Sequence, residues 1–233
     1  MIIYAIIPAR SGSKGLPNKN IKQIAGKPLI AHSIDFAKRL GVDRIFCSTD
    51  SQDYADIVEK YGAEAPFLRS AEASSSTAME QDILKDLYES FEKHNIKQPD
   101  LIVWLRPTFV FRNLMDVNKC IDLLKIDKTL TAARTVCESE SRLYEVENNI
   151  LKPIFEDNGK SMIRRQDVKT QYKVFSTDVF RSNKKDISES FLGKKVAAVI
   201  TNKLCGLDID DEIDFKIVES IIKNNQKIIN ENT

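Results

Sequence analysis

The sequence predicts an α/β protein with a mostly parallel sheet covered by helices on both faces and a small appended arm. Two observations carry this. Short apolar runs alternate with helix-period segments through the first half of the chain, the order that builds crossover-connected parallel strands. The rhythm then breaks between residues 136 and 182, where charged residues crowd and only short β-like pieces remain. With 233 residues the chain is long enough to bury a core of its own.

The elements follow in order. Ile2–Ile7 is a short apolar run and reads as a buried first strand. Leu29–Leu40 has helical spacing, Arg44–Ser48 is strand-like, and Asp53–Tyr61 is a helix stopped by Gly62. Ala65–Leu68 reads as a short strand. Ala78–His94 repeats apolar residues at Ile83, Leu84, Leu87, Tyr88 and Phe91, the period of a helix. Leu101–Leu105 is a buried strand, Asp116–Leu124 a helix, and Leu130–Arg134 a strand. Leu151–Phe155 and Tyr172–Val174 are β-like pieces inside the arm. Val196–Thr201 restores a buried strand, and a final helix places Ile213, Ile217, Val218, Ile221 and Ile222 on one face. The division is therefore a core of residues 1–135 plus 183–233 and an arm of residues 136–182.

Composition excludes several classes. Lys and Arg number 35 against 34 Asp and Glu, a net charge of +1, which argues against a dedicated nucleic-acid binder. No apolar run approaches the roughly 20 residues of a membrane span. The four cysteines, Cys47, Cys120, Cys137 and Cys205, stand far apart with no CxxC, which fits reduced thiols in a cytoplasmic protein. The two histidines, His32 and His94, lie in helix-like stretches and read as structural. Chemistry must then rest on Lys, Arg, Asp and backbone amides.

The strongest signal follows the first strand: Ile7-Pro8-Ala9-Arg10-Ser11-Gly12-Ser13-Lys14-Gly15-Leu16-Pro17-Asn18-Lys19-Asn20. Gly12 and Gly15 let backbone approach a ligand, and Arg10, Lys14 and Lys19 supply three cations within ten residues. Ser13 and Asn20 add neutral hydrogen-bonding groups. The pattern suits a polyphosphate, although it is neither GxxxxGK[ST] nor GxGxxG. A solvated basic turn is the alternative, and the position behind a buried strand favours phosphate. A second signal is Leu207-Asp208-Ile209-Asp210-Asp211-Glu212. In an extended segment Asp208 and Asp210 share one face, which suits a hard cation such as Mg²⁺. The alternative is a helix cap, with Asp210 as the capping residue. A third is Arg106, in Trp104-Leu105-Arg106-Pro107-Thr108 at the end of a central strand. The fourth, Arg164-Arg165-Gln166-Asp167, is weak by itself, since paired arginines commonly sit in solvent.

Together these stretches resemble the acylneuraminate cytidylyltransferases (CMP-sialic acid synthetases), the enzymes that activate nonulosonic acids. The resemblance covers most of the chain in the family's order. It implies a Rossmann-like nucleotidyltransferase fold and transfer of CMP from CTP to the anomeric hydroxyl of a nonulosonic acid, with release of pyrophosphate and Mg²⁺ as cofactor. It implies nucleotide binding by Ala9, Arg10, Ser13, Lys14, Lys19 and Asn20, with Arg10, Lys19, Asp208 and Asp210 as the catalytic set. Asp208 and Asp210 would hold the metal, and Arg106, Arg165 and Gln166 the sugar. It also implies a homodimer in which the arm, carrying Arg165, reaches toward the partner's site. Many members carry Gln where this chain has Arg106. Phe109-Val110-Phe111 replaces the usual Ser-Pro-Leu, and Val174-Phe175-Ser176-Thr177-Asp178 replaces the common Asn-Gly-Ala stretch. By the resemblance these departures would border the sugar rather than the triphosphate, which leaves the sugar as a sialic, legionaminic or pseudaminic acid type. An eight-carbon Kdo-like acid, or a non-catalytic nucleotide-binding dimer of the same fold, are the rival expectations.

Overall fold

The computed structural model describes residues 1–13, 15–140, 142–155, 169–182 and 190–225. Six strands form the path of the main sheet: β1 (Ile3–Pro8), β4 (Arg44–Ser48), β5 (Leu101–Leu105), β6 (Ala132–Ser139), β10 (Thr177–Arg181) and β11 (Val196–Thr201). Their order is β11-β6-β10-β5-β1-β4, with β9 (Gln171–Lys173) added beside β6. β1 pairs in parallel with β4 and β5, and β6 with β11. Two small ribbons stand apart, β2 (Gln23–Ile24) with β3 (Lys27–Pro28), and β7 (Tyr144–Glu147) with β8 (Ile150–Pro153).

The helices are α1 (Leu29–Leu40), α2 (Gln52–Lys60), α3 (Ala71–Ser74), α4 (Glu80–Lys93), α5 (Leu114–Ile126) and α6 (Glu212–Asn224). Strand alternation divides the core. Ala5, Ile7, Leu101, Val103 and Leu105 pack against α1, α2 and α5, while Tyr4, Ile6, Ile102 and Trp104 pack against α4 through Leu84, Leu87, Tyr88 and Phe91. β1 and β5 are thus apolar on both faces, as strands inside a two-sided α/β sheet must be. A third cluster joins Leu16, Ile24, Leu29, Phe111, Ile209, Phe215 and Val218. It lies under the loops that follow β1, β5 and β11.

The structure corrects three readings. Thr177–Arg181, assigned to the arm, is a strand of the main sheet, antiparallel to both β5 and β6. Its charged residues disguise it: Asp178 is fully buried, and it accepts from Arg106 Nη1 at 2.8 Å and Arg134 Nε at 2.7 Å. Ala65–Leu68 forms no strand. Only Glu64 bridges to Phe46, because Pro66 has no N–H to extend the pairing. In α6 the buried residues are Phe215 and Val218, whereas Ile213 and Ile217 are exposed.

All four cysteines are buried and none is in a disulfide among the described residues, and burial pushes the Cys47 and Cys120 thiols up to about 12, which removes them as nucleophiles at neutral pH. His32 is held near 4 by burial, and its ring faces the Ile24 carbonyl, so it is a neutral structural histidine. Among the described residues, Asp178 is the carboxylate that ties β10 by charge to Arg134 of β6 and to Arg106 at the end of β5. Its replacement by Ala leaves two mostly buried guanidinium groups without it. Asp178→Ala is expected to cost about 3–5 kcal/mol. That corresponds to a fall in Tm of about 10 °C for a chain of this size, read by differential scanning calorimetry. An unchanged Tm would show that the buried pairs contribute nothing net.

Candidate active site

Three loops converge at the carboxyl ends of β1, β5 and β11, where an open α/β sheet places its ligand. The loop after β1 is pinned from below. Asp50 accepts from the Ser11 amide at 2.6 Å and the Ser11 hydroxyl at 3.0 Å. Asn20 Nδ2 donates to the Arg10 carbonyl at 3.1 Å. Gly12 turns the chain at φ 47°, in the left-handed region. Gly15 then passes so close to Asp210 that a Cβ there would sit 2.5 Å from the Asp210 carbonyl oxygen. Lys19 completes the junction, donating from Nζ to the Ile209 carbonyl at 2.6 Å, with Asp210 Oδ1 3.6 Å away. The Ile209 amide in turn donates to the Thr108 carbonyl at 3.1 Å.

The loops enclose a cleft of 420 Å³ whose walls include Arg10, Ser13, Gly15, Lys19, Asn20, Arg69, Glu80 and Arg106. Arg10 is anchored through Nη1 to the Ser75 carbonyl at 3.0 Å. Arg69 donates to Ser48 through Nε at 3.0 Å and Nη2 at 2.6 Å, and it is buried. Among the described residues neither Arg10 nor Arg69 has a carboxylate at salt-bridge distance. Burial pulls the Arg69 guanidinium below its ordinary pKa, and the charges of Asp50 and Asp86, beyond salt-bridge distance, only partly offset it. A guanidinium kept charged in such a wall favours an incoming anion.

The acidic segment is equally specific. Asp211, and not Asp210, caps α6: its carboxylate accepts from the amides of Ile213 and Asp214. The capping alternative for Asp210 is thereby removed, and Asp210 stands exposed beside Lys19. Asp208 Oδ1 is buried with no hydrogen-bond partner, an uncommon state for a carboxylate oxygen. Burial, and next the charge of Asp210, push the Asp208 carboxyl up, while a hydrogen bond from Thr108 opposes them. An orphaned oxygen on a destabilised carboxylate fits a hard cation. Two carboxylates leave the rest of its coordination to substrate and water, the usual arrangement for Mg²⁺.

The expected residues are distributed as follows. Arg10, Ser13, Lys19, Asn20 and Arg106 line the cleft; Asp210 stands beside the lining residue Lys19, and Asp208, two residues earlier, is not among the residues that line it. Ala9 does not line it: the residue is fully buried in the core and its amide donates to Ser48 at 2.9 Å. Asn20 is buried, and its side-chain amide holds the loop in shape through the Arg10 carbonyl. Lys14, Arg165 and Gln166 lie outside the described residues. Arg106, expected to bind the sugar, is already engaged by the protein itself. Four of its five N–H groups are taken, two by Glu80 and one each by Asp178 and the Phe175 carbonyl. Sequence reasoning missed Arg69 and Glu80. Arg69 stands alone in an irregular segment with no motif around it, and Glu80 reads as an ordinary acidic first-turn helix residue.

An open, mostly parallel sheet with a cationic, glycine-containing loop at its carboxyl edge and a carboxylate pair beside it defines an α/β protein of the nucleotidyltransferase kind. The family profile described as Cytidylyltransferase matches residues 4–189. CMP-N,N'-diacetyllegionaminic acid synthase of Legionella pneumophila is 30% identical, over 98% of this chain and 100% of that protein. Pseudaminic acid cytidylyltransferase of Campylobacter jejuni is 30% identical, over 90% of this chain and 92% of that one. A solved CMP:2-keto-3-deoxy-manno-octonic acid synthetase complexed with CTP shares the fold, with a TM-score of 0.70 and 18% identity over 96% of this chain and 99% of that one. The chain belongs to the cytidylyltransferase family.

The Gly15 contact generates a direct expectation. Gly15→Val must push the basic loop away from Asp210, since the obstacle is backbone and cannot rotate aside. We expect kcat/KM for CTP to fall at least about 10²-fold, the scale of a misplaced positioning group. Circular dichroism should remain that of the folded protein. Retained activity would mean that loop and acidic segment need not touch. Arg69→Met should weaken CTP binding by about tenfold or more in isothermal titration, as loss of a charge-assisted hydrogen bond requires. Wild-type affinity in that variant would place Arg69 outside the site.

Proposed function

We propose that the protein is a CMP–nonulosonic acid synthetase, moving CMP from CTP to the anomeric hydroxyl of a nonulosonic acid. The observation that carries this reading is the cleft itself. Arg10 and Arg69, with no carboxylate at salt-bridge distance among the described residues, share its walls with Lys19, which reaches Asp210, and Asp208 two residues before Asp210 keeps an oxygen without a hydrogen-bond partner. The named relatives act on legionaminic and pseudaminic acids and match over nearly the whole chain, which supports the substrate class.

In the proposed reaction the anomeric oxygen forms a bond to the α-phosphorus of CTP while the bond to the bridging oxygen of the β-phosphate breaks. Pyrophosphate leaves, and the hydroxyl proton passes to solvent or to a nearby base. Such a displacement requires positioning and neutralisation of charge rather than a covalent intermediate. Arg10 and Lys19 would take the β- and γ-phosphate charge, with Ser13 and the amides around Gly12 and Gly15 adding neutral donors. Lys19 has to release the Ile209 carbonyl, or share its remaining protons, when the triphosphate arrives. Arg69 lies deeper and would fix the nucleotide against the β4 side of the cleft. Mg²⁺ held by Asp208 and Asp210 would supply Lewis-acid charge that stabilises the reacting oxygens. We further propose a homodimer, since the β7–β8 ribbon leaves Val146, Ile150 and Leu151 exposed. Among the described residues no helix is long and apolar enough to cross a membrane.

The reading is tested by pyrophosphate release from CTP against a panel of sialic, legionaminic, pseudaminic and Kdo acids. Release is expected with at least one nine-carbon acid and CTP. Release only with the eight-carbon acid, or with none, would overturn it. The metal assignment has its own test. Asp208→Asn should lower turnover by about 10²-fold or more. Saturating Mg²⁺ should raise the Tm of the CTP-bound wild type more than that of the variant. Equal Tm shifts in the two proteins would remove Asp208 as a ligand.

A further inference from the structure

The end of β5 carries a second charged group, separate from the triphosphate loop. Arg106 and Arg134 share the fully buried Asp178, one on each carboxylate oxygen. Both guanidinium groups also lie against the ring of Phe175, at 5.0 and 5.3 Å from its centroid. Phe175 is held at φ 89°, a strained backbone for a bulky residue, and its carbonyl accepts from Arg106 at 2.9 Å. That side of Arg106 is therefore fixed by burial, charge and backbone together.

The other side differs. Glu80, the first residue of α4, accepts from Arg106 Nε at 2.8 Å and Nη2 at 2.5 Å, and its side chain is 30% exposed at the cleft wall. Two guanidinium groups meet two carboxylates here, so the cluster is neutral as it stands. An anion that reached Arg106 would find its site occupied. It would also face the charge of Glu80 as a like-sign neighbour.

We propose that Glu80 is an exchangeable counterion, a positioning residue that occupies the Arg106 fork until a substrate carboxylate replaces it. The inference rests on the proposed reaction, whose acceptor carries a carboxylate. Asp178 cannot yield, being buried and doubly bridged, whereas Glu80 needs only to turn toward water. Arg106 then offers Nε and Nη2 side by side, the pair that matches a carboxylate. A neutral sugar cannot displace Glu80, so the exchange selects acids over neutral sugars of similar shape.

The test is steady-state kinetics of Glu80→Gln with an accepted sugar acid, varying each substrate at saturation of the other. Glutamine keeps one acceptor for Arg106 and removes the competing charge. The sugar KM should fall about tenfold, the tax removed when an occupied state no longer dominates, while the CTP KM moves less than about twofold. Glu80→Asp, whose shorter chain cannot span the same fork, should lower the sugar KM in the same direction. A sugar KM that is unmoved or raised in both variants overturns the proposal, because a mere strut for Arg106 would loosen the site when cut. A wild type that releases no pyrophosphate with any sugar acid refutes the reaction itself. An active wild type with unmoved KM values in the variants refutes only the role of Glu80.

Discussion

The loop after β1 and the segment before α6 meet across a gap that only a glycine leaves open, and the site depends on that contact. Gly15 admits the Asp210 carbonyl, Leu16 and Ile209 share one apolar cluster, and Lys19 donates to the Ile209 carbonyl. These residues stand almost two hundred positions apart in sequence. Apolar burial brings the segments together, and the hydrogen bonds then fix their register. Ile209 points into the cluster, so Asp208 and Asp210 on either side of it are turned the other way, as alternation along an extended segment demands. The carboxylate pair is thus delivered beside the cationic loop by the same side chain that anchors the segment.

Charge is distributed unevenly along the cleft, and the unevenness sorts its residues. Arg10 and Arg69 bond to neutral oxygens, Lys19 reaches an exposed carboxylate, and Arg106 is clasped by two. Unneutralised cations belong where a highly charged ligand arrives, because the ligand repays the cost of leaving them bare. A neutralised arginine belongs where a singly charged group must be selected. Deeper still, Arg112 is fully enclosed and donates to Thr177, Ser33 and the Arg106 carbonyl, and burial lowers its pKa to about 9. It holds the backbone at Arg106 in place without entering the cleft.

Much of this is legible in the sequence, for identifiable reasons. The helices and central strands declare themselves by periodicity, since α1, α5 and β5 bury the residues their spacing marks. The basic loop is legible because its glycines and cations are contiguous. β10 is not, because Asp178 breaks its apolar pattern and only the partner arginines, more than forty residues away, explain it. Asp211 rather than Asp210 caps α6, a one-residue distinction that composition cannot make. Arg69 and Glu80 gain their meaning from the cleft alone. Their neighbours in sequence carry no trace of the basic loop or of Arg106.

The central claim is that one nucleotide site spans the loop of residues 10–20 and the segment at Asp208–Asp210. A crystal structure with CTP and Mn²⁺, phased to reveal the metal by anomalous scattering, tests it directly. The account predicts the triphosphate over the loop, Lys19 Nζ drawn toward it, and the anomalous peak between Asp208 and a phosphate oxygen. A triphosphate bound elsewhere, or a metal peak away from Asp208 and Asp210, would contradict it.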